Sequence, residues 1–359
     1  MQYSTFAAID IGSYDVILEI FEISKKQGIR SVDKICHRME LGKDTYTLGK
    51  IRPEMEEELC RVLADFVRIM EGYRVDAYRA MASSAISEAA NSLYVLGKIR
   101  QLTGLSVTVL SNSEQRFLGY KALAAMEDNF NKVIEKGTAI LDLDGGSFQI
   151  SLFDKDALVT TQNIRMGSLR VRERLAGIQS ETEHYEEMVE ELIWNEVSSF
   201  KKMYLKDRKI ENIMLIGDVF TDSVYQNIEE KTTKIISREN FNTWYEKIIR
   251  QSPMELAVKL GIPLENASLM YPSAVIYKCL IDMMEAEHVW IPGVHMTRGI
   301  AYEYAEQMKL QKGSHNFEND ILMAAKNIGK RYAVNRPHVQ NLEMTALAMF
   351  DATKKMHGM

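Results

Sequence analysis

Two short segments carry residue types at a spacing suited to phosphate chemistry. They are Asp10-Ile-Gly-Ser13 and Asp142-Leu-Asp-Gly-Gly-Ser147. A tight turn between two strands points consecutive backbone N–H groups at one place, and glycine permits positive φ and close approach of an oxygen. A serine hydroxyl adds a donor. On this reading Gly12, Ser13, Gly145, Gly146 and Ser147 bind phosphate, with Asp144 inside the second phosphate loop. An aspartate at the strand end repels phosphate but can hold Mg²⁺ or orient water, which makes Asp10 and Asp142 candidate metal ligands and Asp142 a candidate catalytic group. Either segment alone reads equally well as an ordinary β-turn. Two facing copies would clamp a phosphate chain from both sides.

The flanking elements repeat. Thr5–Gly12 reads as a buried strand with Val16–Ile23 as its hairpin partner, and Gly137–Asp144 is followed by Phe148–Phe153 in the same way. Leu158–Ile164 could add a third strand. Helical spacing runs from Pro53 to about Tyr73, over Ser84–Leu102, and over Glu181–Met203. Ser111-Asn-Ser-Glu114 has the form of a capping box opening a further helix. Asn212–Gly217 is a buried strand, Arg238 to about Glu306 is mostly helical around a short apolar stretch at Val289–Ile291, and Phe317–Met359 is helical. Duplication of a whole α/β lobe, cut near Asp128–Lys136, follows from the repeat. The expected domains are residues 1–130, 131–311, and a helical segment over 312–359.

At 359 residues the chain exceeds one ordinary core. Hydrophobic residues make up 46% and charged residues 26%, a globular balance. A formal net charge of −6 argues against a general DNA binder. Cys36, Cys60 and Cys279 are scattered without a CxxC pair and read as reduced core thiols in a cytoplasmic protein. The N-terminus reaches Asp10 without a basic region, unlike a signal peptide, and no apolar run reaches the ~18 residues a membrane span needs.

The ordered set AAIDIGSYDVILEIFEI, RAMASSAISEAANSLYVLGKIRQLTGLSVTVLSNSEQRFLGY, AILDLDGGSFQISLF and IRMGSLRVRERL resembles the exopolyphosphatase/guanosine pentaphosphatase (Ppx/GppA) family. The resemblance runs along essentially the whole chain. It implies two RNase H-like lobes of the actin-like ATPase kind around a central cleft, plus a helical C-terminal extension. It also implies Mg²⁺-assisted hydrolysis of polyphosphate or a guanosine pentaphosphate-type ligand, and pairing into a homodimer through C-terminal helices. The tail resembles the start of the HD-like domain of longer members, as if truncated, and His338 there reads as structural.

Within the resemblance, several positions differ. Tyr14-Asp15 stands where the family usually has Asn-Ser, and Ile17 where a basic residue follows. Asp15 brings a carboxylate toward a phosphate loop, and two unit charges about 4 Å apart repel by roughly 4 kcal/mol at an effective dielectric of 20. Ser87 replaces an arginine after Ala82-Ser-Ser-Ala85. Gln115 stands at the family's catalytic glutamate, and an amide cannot serve as a general base. Glu114 is adjacent, but a helical neighbour points about 100° away. Asp144 replaces the first glycine of a triple, Gln149 a further acid, and Gly217-Asp-Val-Phe220 a Gly-x-Gly loop. Gly299-Ile-Ala-Tyr-Glu303 lacks an arginine. Two readings stay open: a hydrolase using Glu114 as a shifted base, and a catalytically inactive relative that binds an anion, nucleotide or protein partner.

Overall fold

A computed structural model describes residues 3–126, 130–155, 157–176, 185–206, 208–227, 234–311 and 315–358. β1 (Ser4–Ile11), β2 (Asp15–Ser24) and β3 (Gly28–Arg38) form an antiparallel meander. β4 (Ala77–Ala82) and β5 (Val107–Val109) add in parallel beside β1, giving the order β3-β2-β1-β4-β5. The second sheet repeats the plan. β6 (Thr138–Leu143), β7 (Phe148–Asp154) and β8 (Ala157–Ile164) form the meander, and β9 (Asn212–Ile216) lies parallel to β6. β10 (Ile235–Ser237) pairs antiparallel with β11 (His288–Trp290), which is parallel to β9. Without β10 the order β8-β7-β6-β9-β11 matches the first sheet strand for strand. This is the RNase H-like arrangement twice over, the architecture of actin-like lobes. β1 and β6 are central and covered on both faces, so their sequences are nearly continuous apolar runs.

One face of the first sheet is covered by the helices Pro53–Gly72 and Ser92–Thr103, with Leu59, Leu63, Phe66, Val95 and Ile99 packed on Ile9 and Leu18. Pro53 opens its helix at a position whose N–H needs no partner. The single helix expected over Ser84–Leu102 is two, Ser84–Ser87 and Ser92–Thr103. On the second sheet, helices including Tyr185–Phe200 and Leu264–Met284 bury the largest core. Part of the helix expected over Glu181–Met203 lies outside the described residues. The described part passes into a π-helical turn at Lys201–Leu205.

Two helices join the lobes. The cleft helix, Asn112–Met126, and the return helix, Met296–Gln307, cross closely because a Cβ at Gly299 would stand 2.1 Å from the Leu118 carbonyl oxygen. Leu118, Ile300, Ala301 and Ala305 pack on Phe6, Ala8 and Phe21 of the first sheet, and Phe6 stacks on Tyr304 at 4.2 Å. Tyr120 and Leu123 pack on Ile140, Phe153 and Met214 of the second. The return helix thus packs on the first sheet, although the expected domain 131–311 contains it. The helix Phe317–Arg331 likewise packs on the second sheet, its Asn327 amide donating to the Leu158 and Val159 carbonyls at 3.3 and 3.2 Å. Arg336–Ala352 buries no residue, and His338 sits exposed in its first turn. The expected lobe cut near Asp128–Lys136 falls partly outside the described residues. Among those described, no helix is long and apolar enough to cross a membrane.

Candidate functional site

A cavity of about 280 Å³ lies between the lobes, near the lower limit for small-ligand pockets. Both repeats feed it from equivalent places. Asp10 is the penultimate residue of β1 and Asp142 that of β6, and Gly12, Asp144 and Gly145 follow in the two turns; all five line the cavity. Asp15, Asp218 and Asp222 complete a set of six carboxylates. The backbone closes tightly around Asp142. Gly217, at φ +99°, leaves no room for a side chain, since a Cβ there would stand 2.7 Å from Asp142 Oδ1. A Cβ at Gly119 of the cleft helix would be 3.6 Å from its Oδ2.

Crowding raises the affinity of these groups for protons. Burial, then the charges of Asp15, Asp144 and Asp142, push Asp10 well above the usual carboxylate range. Burial foremost, with Asp144 and Asp218 adding repulsion, pushes Asp142 up to about 7. Asp144 is pushed to about 6 by burial, against the Gly145 N–H and the Gln115 and Ser13 side chains that hydrogen-bond it. Asp218 is also pushed by burial to about 6, although it caps its helix by accepting from the Thr221 N–H at 3.1 Å. Asp10 Oδ1, Asp218 Oδ2 and Ser83 Oγ are buried at the cavity with no hydrogen-bond partner among the described residues. Such orphans are costly, and a hydrated cation or polar ligand would satisfy them.

Asp15 is less repulsive than its charge alone suggests. Arg38, its cross-strand partner on β3, donates to Asp15 Oδ2 at 2.8 Å and lies over the Tyr14 ring. The other end of the cavity carries His295, whose Nε2 lies 3.3 Å from Asp222 Oδ1, with burial holding the imidazole below its ordinary pKa.

Gln115 lines the cavity and Glu114 does not. Glu114 is exposed and completes the capping box, its Oε2 accepting from the Ser111 N–H at 2.8 Å and hydroxyl at 2.7 Å. Those bonds hold its carboxyl below the usual range. Gln115, Gly119 and Ala122 share one helical face toward the cavity, and Glu114, expected as a shifted base, lies off that face.

The phosphate-binding expectation divides. Ser13 and Gly146 lie in the contact between the lobes, and Ser147 is buried in its own turn. Ser13 is fully buried, with its Oγ 2.6 Å from the Tyr46 hydroxyl and 3.1 Å from Ser84 Oγ. Tyr46 lies against the second turn, where a Cβ on Gly146 would stand 2.1 Å from its hydroxyl. Ser147 is buried and does not line the cavity. Gly12, Gly145 and Gly146 do not adopt positive φ, so close approach of the opposite lobe, rather than turn geometry, requires at least Gly146. The lobes are further tied by Tyr14 donating to Asn266 Oδ1 at 2.6 Å and by Arg172 gripping Glu40 at 2.8 and 2.9 Å. Cys36, expected in the core, is exposed on β3 at the cavity, while Cys60 is buried.

Sequence reasoning missed Lys34, Arg38, Asp222 and His295. The signal for the first two was available: β8 follows the second hairpin, so the repeat calls for a third strand after β2.

The duplicated sheet and acid-lined interlobe cavity define a two-lobed α/β protein of actin-like fold. The model of the family described as "Ppx/GppA phosphatase family" matches residues 19–308, and the chain belongs to that family. It is 21% identical over 238 residues to a bifunctional 3-dehydroquinate synthase/phosphatase of Fusobacterium nucleatum, covering 63% of this chain and 34% of that protein. It is 19% identical over 350 residues to a guanosine-5'-triphosphate,3'-diphosphate pyrophosphatase of Photobacterium profundum, covering 96% of this chain and 66% of that protein. The chain thus spans less than two thirds of each of these relatives. In fold it resembles an exopolyphosphatase from Cytophaga hutchinsonii, with a TM-score of 0.74 at 17% identity over 87% of this chain and all of that one.

Proposed function

We propose that the interlobe cavity binds a hydrated divalent cation together with the terminal phosphates of a phosphoanhydride chain, either polyphosphate or a guanosine pentaphosphate-type ligand. We further propose that the protein holds this ligand with little hydrolysis. The observation that carries the second part is the cleft helix: Gln115 occupies the cavity face and Glu114 is consumed in a cap. A carboxamide has no basic lone pair for a proton from water, and loss of a general base costs about 10²–10⁴ in rate.

The residues present fit magnesium. The cavity offers carboxylate oxygens from Asp10, Asp142, Asp144 and Asp218, two of them with an unpartnered buried atom. Among the described residues no three acidic, histidine or cysteine side chains converge into a ready cage. Mg²⁺ keeps several waters and takes one or two carboxylates beside substrate phosphates, so it does not require such a cage. Bound there, the ion would supply charge neutralisation between carboxylates and phosphate oxygens. The Gly12 and Gly145 N–H groups are taken up within their own turns, donating to the Asp15 carbonyl at 2.9 Å and to Asp144 Oδ1 at 2.6 Å.

A second reading, an active hydrolase, is favoured by Asp142, whose position near 7 is where a general base works best at neutral pH. Calorimetric titration with MgCl₂ and tripolyphosphate, beside a phosphate-release assay on the same preparation, tests both. Binding with turnover about a hundredfold or more below the ~10 s⁻¹ typical of enzymes is expected. Absence of binding would remove the ligand assignment, and turnover near that typical rate would establish the second reading.

A further inference from the structure

The cavity holds six carboxylates, yet its expected ligand is an anion. Ile17 occupies the place where a basic side chain was anticipated, and it is nearly buried. β3 supplies an alternative. Lys34, Cys36 and Arg38 alternate onto one face of that edge strand, and all three line the cavity. Their cross-strand partners on β2 are Glu19, Ile17 and Asp15 respectively.

The two cations differ in their commitments. Arg38 is held by Asp15 at 2.8 Å. Lys34 makes no ion pair or hydrogen bond among the described residues. Its cross-strand neighbour Glu19 is engaged elsewhere: Oε1 accepts from Ser31 at 2.6 Å and Oε2 from the Thr297 hydroxyl at 2.5 Å. The Lys34 charge is nonetheless felt at Asp10, Cys36 and His295, groups spread along the cavity. An exposed ammonium beside a desolvated anion site, with no partner of its own, is arranged to meet phosphate as a point charge.

We propose that Lys34 is the residue that anchors the phosphate chain, replacing from β3 the cation absent at position 17. The assignment rests on the cavity being a phosphoanhydride site. It places the ligand's non-bridging oxygens against the β3 face of the first lobe.

Calorimetry with tripolyphosphate in MgCl₂ tests it on the full chain, using the parent, Lys34→Met, Lys34→Arg and, as a control away from the cavity, Lys50→Met. Thermal melting of each variant checks the fold. Lys34→Met should weaken binding about tenfold or more, the loss expected for a charge-assisted hydrogen bond. Lys34→Arg should recover most of that loss, and Lys50→Met should bind as the parent does. Parent-like binding by Lys34→Met would overturn the anchor and leave the cavity assignment standing. No binding by the parent would instead remove the cavity assignment and the anchor with it.

Discussion

Gly146→Ala probes the contact that holds the second hairpin against the first lobe. The added methyl would stand 2.1 Å from the Tyr46 hydroxyl, 2.5 Å from Ser84 Oγ and 2.7 Å from Tyr46 Cζ. None of these approaches is tolerable, so Tyr46 must leave its seat or the lobes must part. Tyr46 cannot leave cheaply. Its hydroxyl is 2.6 Å from Ser13 Oγ and 2.8 Å from Ser84 Oγ, and the Arg170 guanidinium lies 3.9 Å over its ring. Overpacking costs about 1–3 kcal/mol, and each lost hydrogen bond adds about 1 kcal/mol. A destabilisation of about 2–4 kcal/mol is expected, read as a lowered urea midpoint. Tyr46→Ala removes the main obstacle, so combining it with Gly146→Ala should cost less than the sum of the two, by about 1 kcal/mol or more. A Gly146→Ala protein within about 0.5 kcal/mol of the parent would refute the close lobe contact.

Glu114→Gln should leave tripolyphosphate affinity unchanged and cost no more than about 1 kcal/mol, because it trims a cap outside the cavity; calorimetry and urea titration read both. The carboxylate cluster predicts a pH signature in the cation-free protein. Asp142 near 7 and Asp144 and Asp218 near 6 bind protons more tightly folded than unfolded. Their stabilisation is therefore full below the unfolded pKa of about 4 and is lost as pH rises through 6 and 7. Melting temperature should fall between pH 5 and 8, and MgCl₂ should reverse the fall at pH 8 while doing little at pH 5. An unchanged melting temperature across that range would show that the cluster is not coupled to folding.

The duplicated hairpins were legible because strand, acid, glycine and strand are local in sequence, and the matching sheet orders follow from them. The cavity-lining position of Asp10 and Asp142 was legible for the same reason, while that of Gln115 came only through the family resemblance. The fate of Ser13 and Gly146 was not, because Tyr46 reaches them from elsewhere in the chain. Glycine in those turns looked like a conformational requirement, and at Gly146 it proves to be a steric one between lobes. The return helix shows the same limit: its periodicity reveals a helix, while its attachment to the first sheet depends on Gly299 meeting Leu118 across 181 positions of chain (299 − 118). β3 was missed because its exposed alternation is weak, yet it brings Lys34 and Arg38 to the site.

The proposed retention of a phosphoanhydride ligand with little hydrolysis rests above all on Gln115 standing on the cavity face in place of a base. Phosphate release from tripolyphosphate with MgCl₂ at neutral pH, compared between the parent and Gln115→Glu, tests it most directly. A carboxylate restored on the cavity face should raise release by about 10²–10⁴ over a slow parent. A parent that already turns over rapidly, with Gln115→Glu no faster, would contradict the account.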